Sequence, residues 1–300
     1  MSNETYKRQV GLLLNVLPEI AKETCFALHG GTAINLFIRD MPRLSVDIDL
    51  TYLPIEDRKT SLNNISNALE RIRATTLTIL PEAKISLRSD TSKLLIAHQG
   101  MQVKLEVNQI NRGALHTPEV LTLCEKAQKE FDAFCAIQVI EEGQLYGGKI
   151  CAALDRQHPR DLFDVKYFLL NSEFSEHHKE GLLLAVVSSN RPIEELLYPH
   201  LSDQKEAFSN QFIGMTNEPF DYSDFETTRK NLLVVIHQNL TTKDMDFLLS
   251  VQGLNPDWSV YNFERFPSVQ WKLQNLQRLK KSNPAKFHNQ LDNLKNSFKN

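Results

Sequence analysis

The stretch Phe26-Ala-Leu-His-Gly-Gly-Thr-Ala-Ile-Asn-Leu-Phe-Ile-Arg-Asp40, followed after two residues by Arg43-Leu-Ser-Val-Asp-Ile-Asp-Leu50, decides how this chain is read. Thr24 to Leu28 reads as a short apolar strand that runs into His29-Gly30-Gly31-Thr32. The paired glycines mark a tight strand-to-helix turn, and Ala33 to Arg39 follows as a short helix. From Ser45 to Tyr52 the pattern alternates, with Val46, Ile48 and Leu50 on one face and Asp47, Asp49 and Thr51 on the other. This is a half-buried strand with a charged face. Two carboxylates at i and i+2 of a strand project to the same side, where Asp47 and Asp49 can hold two divalent ions about 4 Å apart and so clamp the phosphates of a nucleotide. Gly30 and Gly31 let backbone N–H groups approach those phosphates, and Thr32 can add a hydroxyl donor.

An Asp-x-Asp triplet alone says little, and the chain carries its own control at Asp244-Met245-Asp246. That copy lies in a helical pattern, where positions i and i+2 diverge by about 200° and cannot chelate together. The alternative for Asp47 and Asp49 is a solvated strand face. Working outward, residues 4 to 23 have helical apolar spacing and Ile55 to Ala74 reads as helix. Lys84 to Leu87, Lys93 to His98 and Met101 to Val107 read as strands. In the last of these Lys104 and Glu106 share a face, and Glu106 is the best candidate for a third carboxylate that completes the metal site.

Past Glu141 the pattern turns helical, with Gln144 to Gln157, Pro159 to Leu170, Ser175 to Ser189, Asp224 to Gln238 and Thr242 to Val251 as the clearest segments. The expected organisation is a core domain over residues 1–142 and a helical domain over 143–300 that completes the active site and ends in a basic tail. Gly143 to Lys149 has the spacing of a phosphate-binding P-loop, but Ile150 stands where that loop needs Ser or Thr. Lys149 draws notice for another reason. It opens a helix leading to Asp155-Arg156, and the next helix carries Arg160-Asp161-Leu-Phe-Asp164, with Asp161 and Asp164 on one face. Two basic groups with two acids so placed suit gripping a triphosphate; the alternative is a structural ion-pair network between two helices.

Composition bounds the function classes. Across 300 residues, 41% are hydrophobic and 24% charged, which excludes disorder as the ground state and gives enough chain to bury a core. The longest apolar runs, such as Leu182 to Val187, are far shorter than the roughly 18 residues a spanning helix needs. No secretory signal is visible, and Cys25, Cys124, Cys135 and Cys151 lack C-x-x-C spacing, so the expectation is a cytoplasmic protein with reduced thiols. The formal charge of -3 conceals a basic end, since residues 272–300 carry seven Lys and Arg against Asp292 alone. Such a tail suits an RNA backbone, or is a solvated terminal helix. No His-Glu-x-x-His, G-x-S-x-G or G-x-G-x-x-G motif occurs, which leaves zinc, serine-hydrolase and dinucleotide readings without support. Trp258, Tyr261, Phe263, Phe266 and Trp271 are expected to pack a core rather than stack bases.

The blocks from Phe26 to Leu50, together with Lys149, Asp155-Arg156 and Arg160 to Asp164, resemble the AbiEii/AbiGii-type nucleotidyltransferase toxins of the DNA polymerase beta-like superfamily, MenT-type enzymes among them. The resemblance implies a mixed α/β (α+β) bilobed protein, with a nucleotidyltransferase sheet in the N-terminal lobe and a helical C-terminal lobe. It implies the toxin of a two-gene type IV-like toxin–antitoxin or phage-defence system, with a separate antitoxin protein as partner and no membrane association. It further implies Mg2+-dependent transfer of a nucleotide from an NTP to RNA, the tRNA 3' end foremost, which would block translation. In that scheme Asp47 and Asp49 bind magnesium, Lys149 contacts the NTP phosphates, and Asp164 with Asp161 belongs to the distal part of the site. Two competing expectations stay open. One is nucleotidyl transfer to a protein hydroxyl or to a small molecule such as an aminoglycoside; the other is an inactive binding protein that keeps the fold.

Overall fold

The computed structural model describes residues 3–299. The chain divides into two units, one up to Glu141 together with Phe208–Pro219, the other Glu142–Ala207 together with the chain from Phe220 onward.

In the first unit, α1 (Asn3–Ala21) buries Val10, Leu13, Leu14 and Leu17 along one stripe, as its spacing dictates. β1 (Phe26–His29) leads into α2 (Gly30–Ala33), which continues as a π-helical turn over Ile34–Ile38. β2 (Asp47–Tyr52) and α3 (Arg58–Ile79) follow. The helix predicted from Ile55 begins later because Asp57 is its N-cap, its carboxylate accepting from the Lys59 and Thr60 N–H groups. Nothing breaks the helix before Pro81, so it overruns the predicted end at Ala74. β3 (Lys84–Arg88), β4 (Lys93–His98) and β5 (Met101–Val107), predicted as strands, form an antiparallel series. β6 (Glu119–Thr122), α4 (Glu125–Phe131) and β7 (Ala136–Val139) complete the unit.

The seven strands form one mixed sheet in the order β3-β4-β5-β2-β1-β7-β6. β2 lies antiparallel to β1 and parallel to β5, and β1 lies parallel to β7. Helix α1 packs on β5 and β7, and α3 on β3 and β4, covering the face where Ile48, Leu50, Leu94, Ile96, Val103 and Leu105 are buried. Because side chains alternate along a strand, Asp47, Asp49, Lys104 and Glu106 must occupy the opposite face, where all four are half-buried.

The second unit is helical: α5 (Glu142–Asp155), α6 (Pro159–Asn171), α7 (Glu176–Ser188), α8 (Ile193–Leu197), α9 (Lys205–Gln211, within which the chain returns to the first unit), α10 (Tyr222–Asn239), α11 (Thr242–Gln252), α12 (Pro267–Ser282) and α13 (Pro284–Ser297). The P-loop-like spacing resolves into α5, and its glycines have a packing role. A Cβ on Gly147 would lie 2.1 Å from the Gly181 carbonyl carbon, and one on Gly181 would lie 2.1 Å from the Gly143 oxygen. The helices α5 and α7 therefore cross backbone to backbone, a contact that only glycine permits. Phe263 and Phe266 are buried, and Tyr261 stacks on Phe263 with ring centroids 5.2 Å apart, so this part of the aromatic run is core; Trp271, expected to pack there too, is instead exposed, with the Arg278 guanidinium over its ring.

The basic tail is a hairpin of α12 and α13. One of its cations is buried: Lys272 donates to the carbonyls of Ser189 and Arg191, satisfying the end of α7. Arg278, Lys280, Lys281, Lys286, Lys295 and Lys299 are exposed. The four cysteines are unpaired with one another, and burial pushes the Cys25 and Cys135 thiols up to about 11 and Cys151 to about 12. Among the described residues no helix is long and apolar enough to cross a membrane.

Candidate active site

The site in the first unit is built where β1 turns into α2. Gly30 has φ +73, a left-handed conformation that favours glycine, and a Cβ there would come 2.7 Å from Asp49 Oδ2. Gly31 is constrained from the other side, since its Cβ would meet Arg43 Nη2 at 2.7 Å and Ser45 Oγ at 3.1 Å. The backbone of the turn is thereby in direct approach to the Asp49 carboxylate, a cradle that any larger residue would fill.

Thr32 is almost fully buried; its hydroxyl donates to the Asp47 carbonyl and lies 3.0 Å from Ser45 Oγ. The side chain expected to face a phosphate thus ties the turn to the first residue of β2. Asn35 Nδ2 donates to the Gly31 carbonyl at 2.9 Å, and the buried Arg43 guanidinium donates to the Leu44 carbonyl. Arg43, Ser45 and Asn35, which the sequence reading did not assign to the site, therefore help fix the geometry of Gly30, Gly31 and Asp47.

Strand register brings Glu106 to the predicted carboxylates. Asp49 pairs with Glu106 and Asp47 with Lys104 across β2 and β5, and Glu106 pairs with Lys93 across β4 and β5. Lys93 Nζ lies 3.1 Å from Glu106 Oε1; Lys104 Nζ lies 3.1 Å from Glu106 Oε2 and 4.0 Å from Asp47 Oδ1. Burial opposes ionisation of Glu106, but hydrogen bonds from Lys93 and Lys104 outweigh it and hold the carboxyl below the usual range. Burial likewise opposes the Lys104 ammonium, and Asp47, Glu106 and Asp49 outweigh it and raise its pKa. Lys93 and Lys104 were not predicted as site residues. Lys104 was visible in the alternation, whereas Lys93 becomes visible only through register.

In the second unit, Lys149 of α5 reaches two acids of α6, with Nζ 2.9 Å from Asp161 Oδ1 and 3.0 Å from Asp164 Oδ2. Arg156 adds a forked contact to Asp161, 2.6 Å from Nε and 3.1 Å from Nη2. Lys149, Asp161 and Asp164 are all buried. Burial alone would raise the Asp161 pKa, yet Lys149 and Arg156 outweigh it and hold the carboxyl far below the carboxylate range. Asp161 also sits in the first turn of α6, after the His158 N-cap and Pro159, where the helix favours negative charge. Arg160 is half-buried at the same helix start, and its backbone N–H donates to His158 Nδ1. Lys149, Asp161 and Asp164 are thus brought together as an ion-pair network between α5 and α6, with Arg156 as the arginine on Asp161. The Asp244 control behaves as its helical setting requires: Asp244 is buried on Lys179 and Tyr261, and Asp246 is exposed.

Two carboxylates on one strand, set against a glycine turn on a mixed sheet, belong to the nucleotidyltransferase class of fold. The comparisons with known proteins agree. The profile described as nucleotidyl transferase AbiEii toxin, type IV TA system, matches residues 12–275. Among solved structures the fold is similar to that of MenT4, a nucleotidyltransferase toxin from Mycobacterium tuberculosis H37Rv, with a TM-score of 0.60 and 15% sequence identity over 90% of this chain and 93% of that one. A search of curated proteins finds no significant match. The chain belongs to the AbiEii family of nucleotidyltransferase toxins of type IV toxin–antitoxin systems, whose counterpart is an antitoxin.

Proposed function

We propose that this protein is a Mg2+-dependent nucleotidyltransferase that moves a nucleotide from an NTP to RNA, the tRNA 3' end foremost, and so blocks translation as a toxin in the cytoplasm, with phage defence as the setting. The observation that carries the reading is the Asp49 carboxylate against the Gly30 turn, with no room for a side chain between them, and Asp47 two residues away on the same face of β2. Hard carboxylate oxygens on one sheet face beside such a cradle fit magnesium. The ion would supply charge neutralisation and polarisation of the α-phosphate.

The protein's own groups do the rest. Asp47 and Asp49 would hold the ion, and the Gly30-Gly31 backbone would approach the triphosphate. Thr32, Ser45 and Arg43 keep the turn and strand in register, so that the geometry is set before substrate arrives. Following the family resemblance, Lys149 is assigned to the NTP phosphates, Asp161 and Asp164 to holding its ammonium, and Arg160 to nucleotide binding. The acceptor's ribose hydroxyl oxygen bonds to the α-phosphorus as pyrophosphate leaves, and the hydroxyl proton passes to solvent. The exposed cations of α12 and α13 favour a polyanionic acceptor.

Incubation of the purified chain with magnesium, each α-labelled NTP in turn, and total RNA or protein extract tests the reading. Label in a tRNA-sized band is expected, lost in Asp49→Ala and weakened steeply by salt; label confined to protein would replace the RNA acceptor with a protein one.

A further inference from the structure

The sheet face that carries Asp47 and Asp49 holds two lysines that the proposed reaction does not use. Glu106 spends one oxygen on each of them, Oε1 on Lys93 and Oε2 on Lys104, both at 3.1 Å. A divalent ion that took Glu106 as ligand would share that carboxylate with an ammonium group and be repelled by it. The second contact of Lys104 matters as much. Its Nζ lies 4.0 Å from Asp47 Oδ1, so a fixed positive charge already stands at the flank of the carboxylate pair. Two divalent ions in such a site would be about 4 Å apart. Here the carboxylate on the neighbouring strand that would bind the second is bridged to the lysine that would repel it.

We infer that Lys104, held by Glu106, which Lys93 holds in turn, limits the Asp47–Asp49 site to a single divalent ion and supplies the second positive charge itself. The inference rests on the proposed metal-dependent transfer, and it departs from the two-ion, Glu106-ligated site expected from the sequence. The cross-strand pairs Asp47 with Lys104, Asp49 with Glu106 and Glu106 with Lys93 supply the geometry, because register partners lie on one face.

The test is a Mn2+ titration of the full chain followed by electron paramagnetic resonance, with an equimolar α,β-methylene nucleoside triphosphate, the four bases in turn. One bound Mn2+ per chain is expected for the wild type and for Lys104→Arg, and two for Lys104→Met. Should Lys104→Met fail to fold, Lys104→Gln carries the same expectation. Two ions in the wild type, or a single ion in a folded Lys104→Met or Lys104→Gln, would overturn the inference while leaving the metal-dependent reading in place. No Mn2+ bound to the wild type with any of the analogues would overturn both.

Discussion

The position that a Cβ would take on Gly30 lies 2.7 Å from Asp49 Oδ2, closer than a carbon can stand to an oxygen without one of them moving. The conformation of the glycine, φ +73, adds a second demand at the same residue. Gly30→Ala should therefore leave the sheet folded, at a cost of about 1–2 kcal/mol for the left-handed residue, and displace the Asp49 carboxylate. A displacement of about 1 Å at reacting groups brings losses on the order of 100-fold. Transfer rate and thermal melting measured side by side check this, and unimpaired transfer by Gly30→Ala would contradict the role given to the turn.

Asp161 is expected to govern acid stability in the second unit. Its folded pKa is depressed, because Lys149 and Arg156 overcome the effect of burial. The stability it contributes is therefore complete above the unfolded value of about 3.9 and is lost as pH falls below that toward the folded pKa. Asp161→Asn should flatten the acid limb of the stability curve. Asp164→Ala, which strips one partner from a buried Lys149, should cost about 3–5 kcal/mol at neutral pH. Urea unfolding across a pH series reads both effects.

Lys272 gives the opposite limb. Burial lowers its pKa to about 8. Between that value and the unfolded value of about 10.4, the unfolded chain binds a proton that the folded chain does not, so stability rises with pH across this window. Lys272→Met should remove that rise while losing the bonds to Ser189 and Arg191. The wild-type unfolding midpoint should climb relative to that of Lys272→Met between about pH 8 and the unfolded value, and parallel curves would contradict this.

Two helical glycines predict alanine substitutions of opposite sign, one at the crossing of α5 and α7 and one in α1. Gly147→Ala would place a carbon 2.1 Å from the Gly181 carbonyl carbon and should destabilise by about 3 kcal/mol, the upper end of overpacking. In α1, a Cβ on Gly11 would find Phe131 Cδ1 at 4.0 Å, an ordinary contact. Gly11→Ala should thus stabilise by up to about 1 kcal/mol through helix propensity. Denaturant midpoints compared with wild type decide both.

The legible part of this fold was the part in which sequence period and burial agree. β2 alternates between apolar and acidic residues because α1 and α3 cover the face that buries Ile48 and Leu50 while Asp47 and Asp49 lie half-buried on the other, and β4 and β5 were readable from the same apolar face. β6 escaped notice because it is an edge strand with Glu119, Val120 and Thr122 all exposed, so no face of it is marked apolar, and α4 because it is 7 residues long and buries only Ala127. Lys93 belongs beside Glu106 only through a register between strands, and register is a property of pairing that one strand's pattern does not carry. The glycines of α5 have a spacing that suits both a phosphate loop and a close helix crossing, and the missing Ser or Thr after Lys149 was the signal that separated them. Lys272 sits in a basic run yet is buried, since charge counts do not say which face of a helix is covered.

Parallel reactions with α-labelled and γ-labelled NTP, magnesium and total RNA, using wild type and Asp49→Asn, address the central claim most directly. Asp49→Asn keeps the shape of the side chain and removes its charge, so its melting temperature should stay close to that of the wild type. The account predicts that α-label enters RNA with wild type alone and that γ-label enters nothing, because the γ-phosphate leaves in pyrophosphate. Undiminished α-label incorporation by folded Asp49→Asn, or transfer of the γ-label, would contradict it.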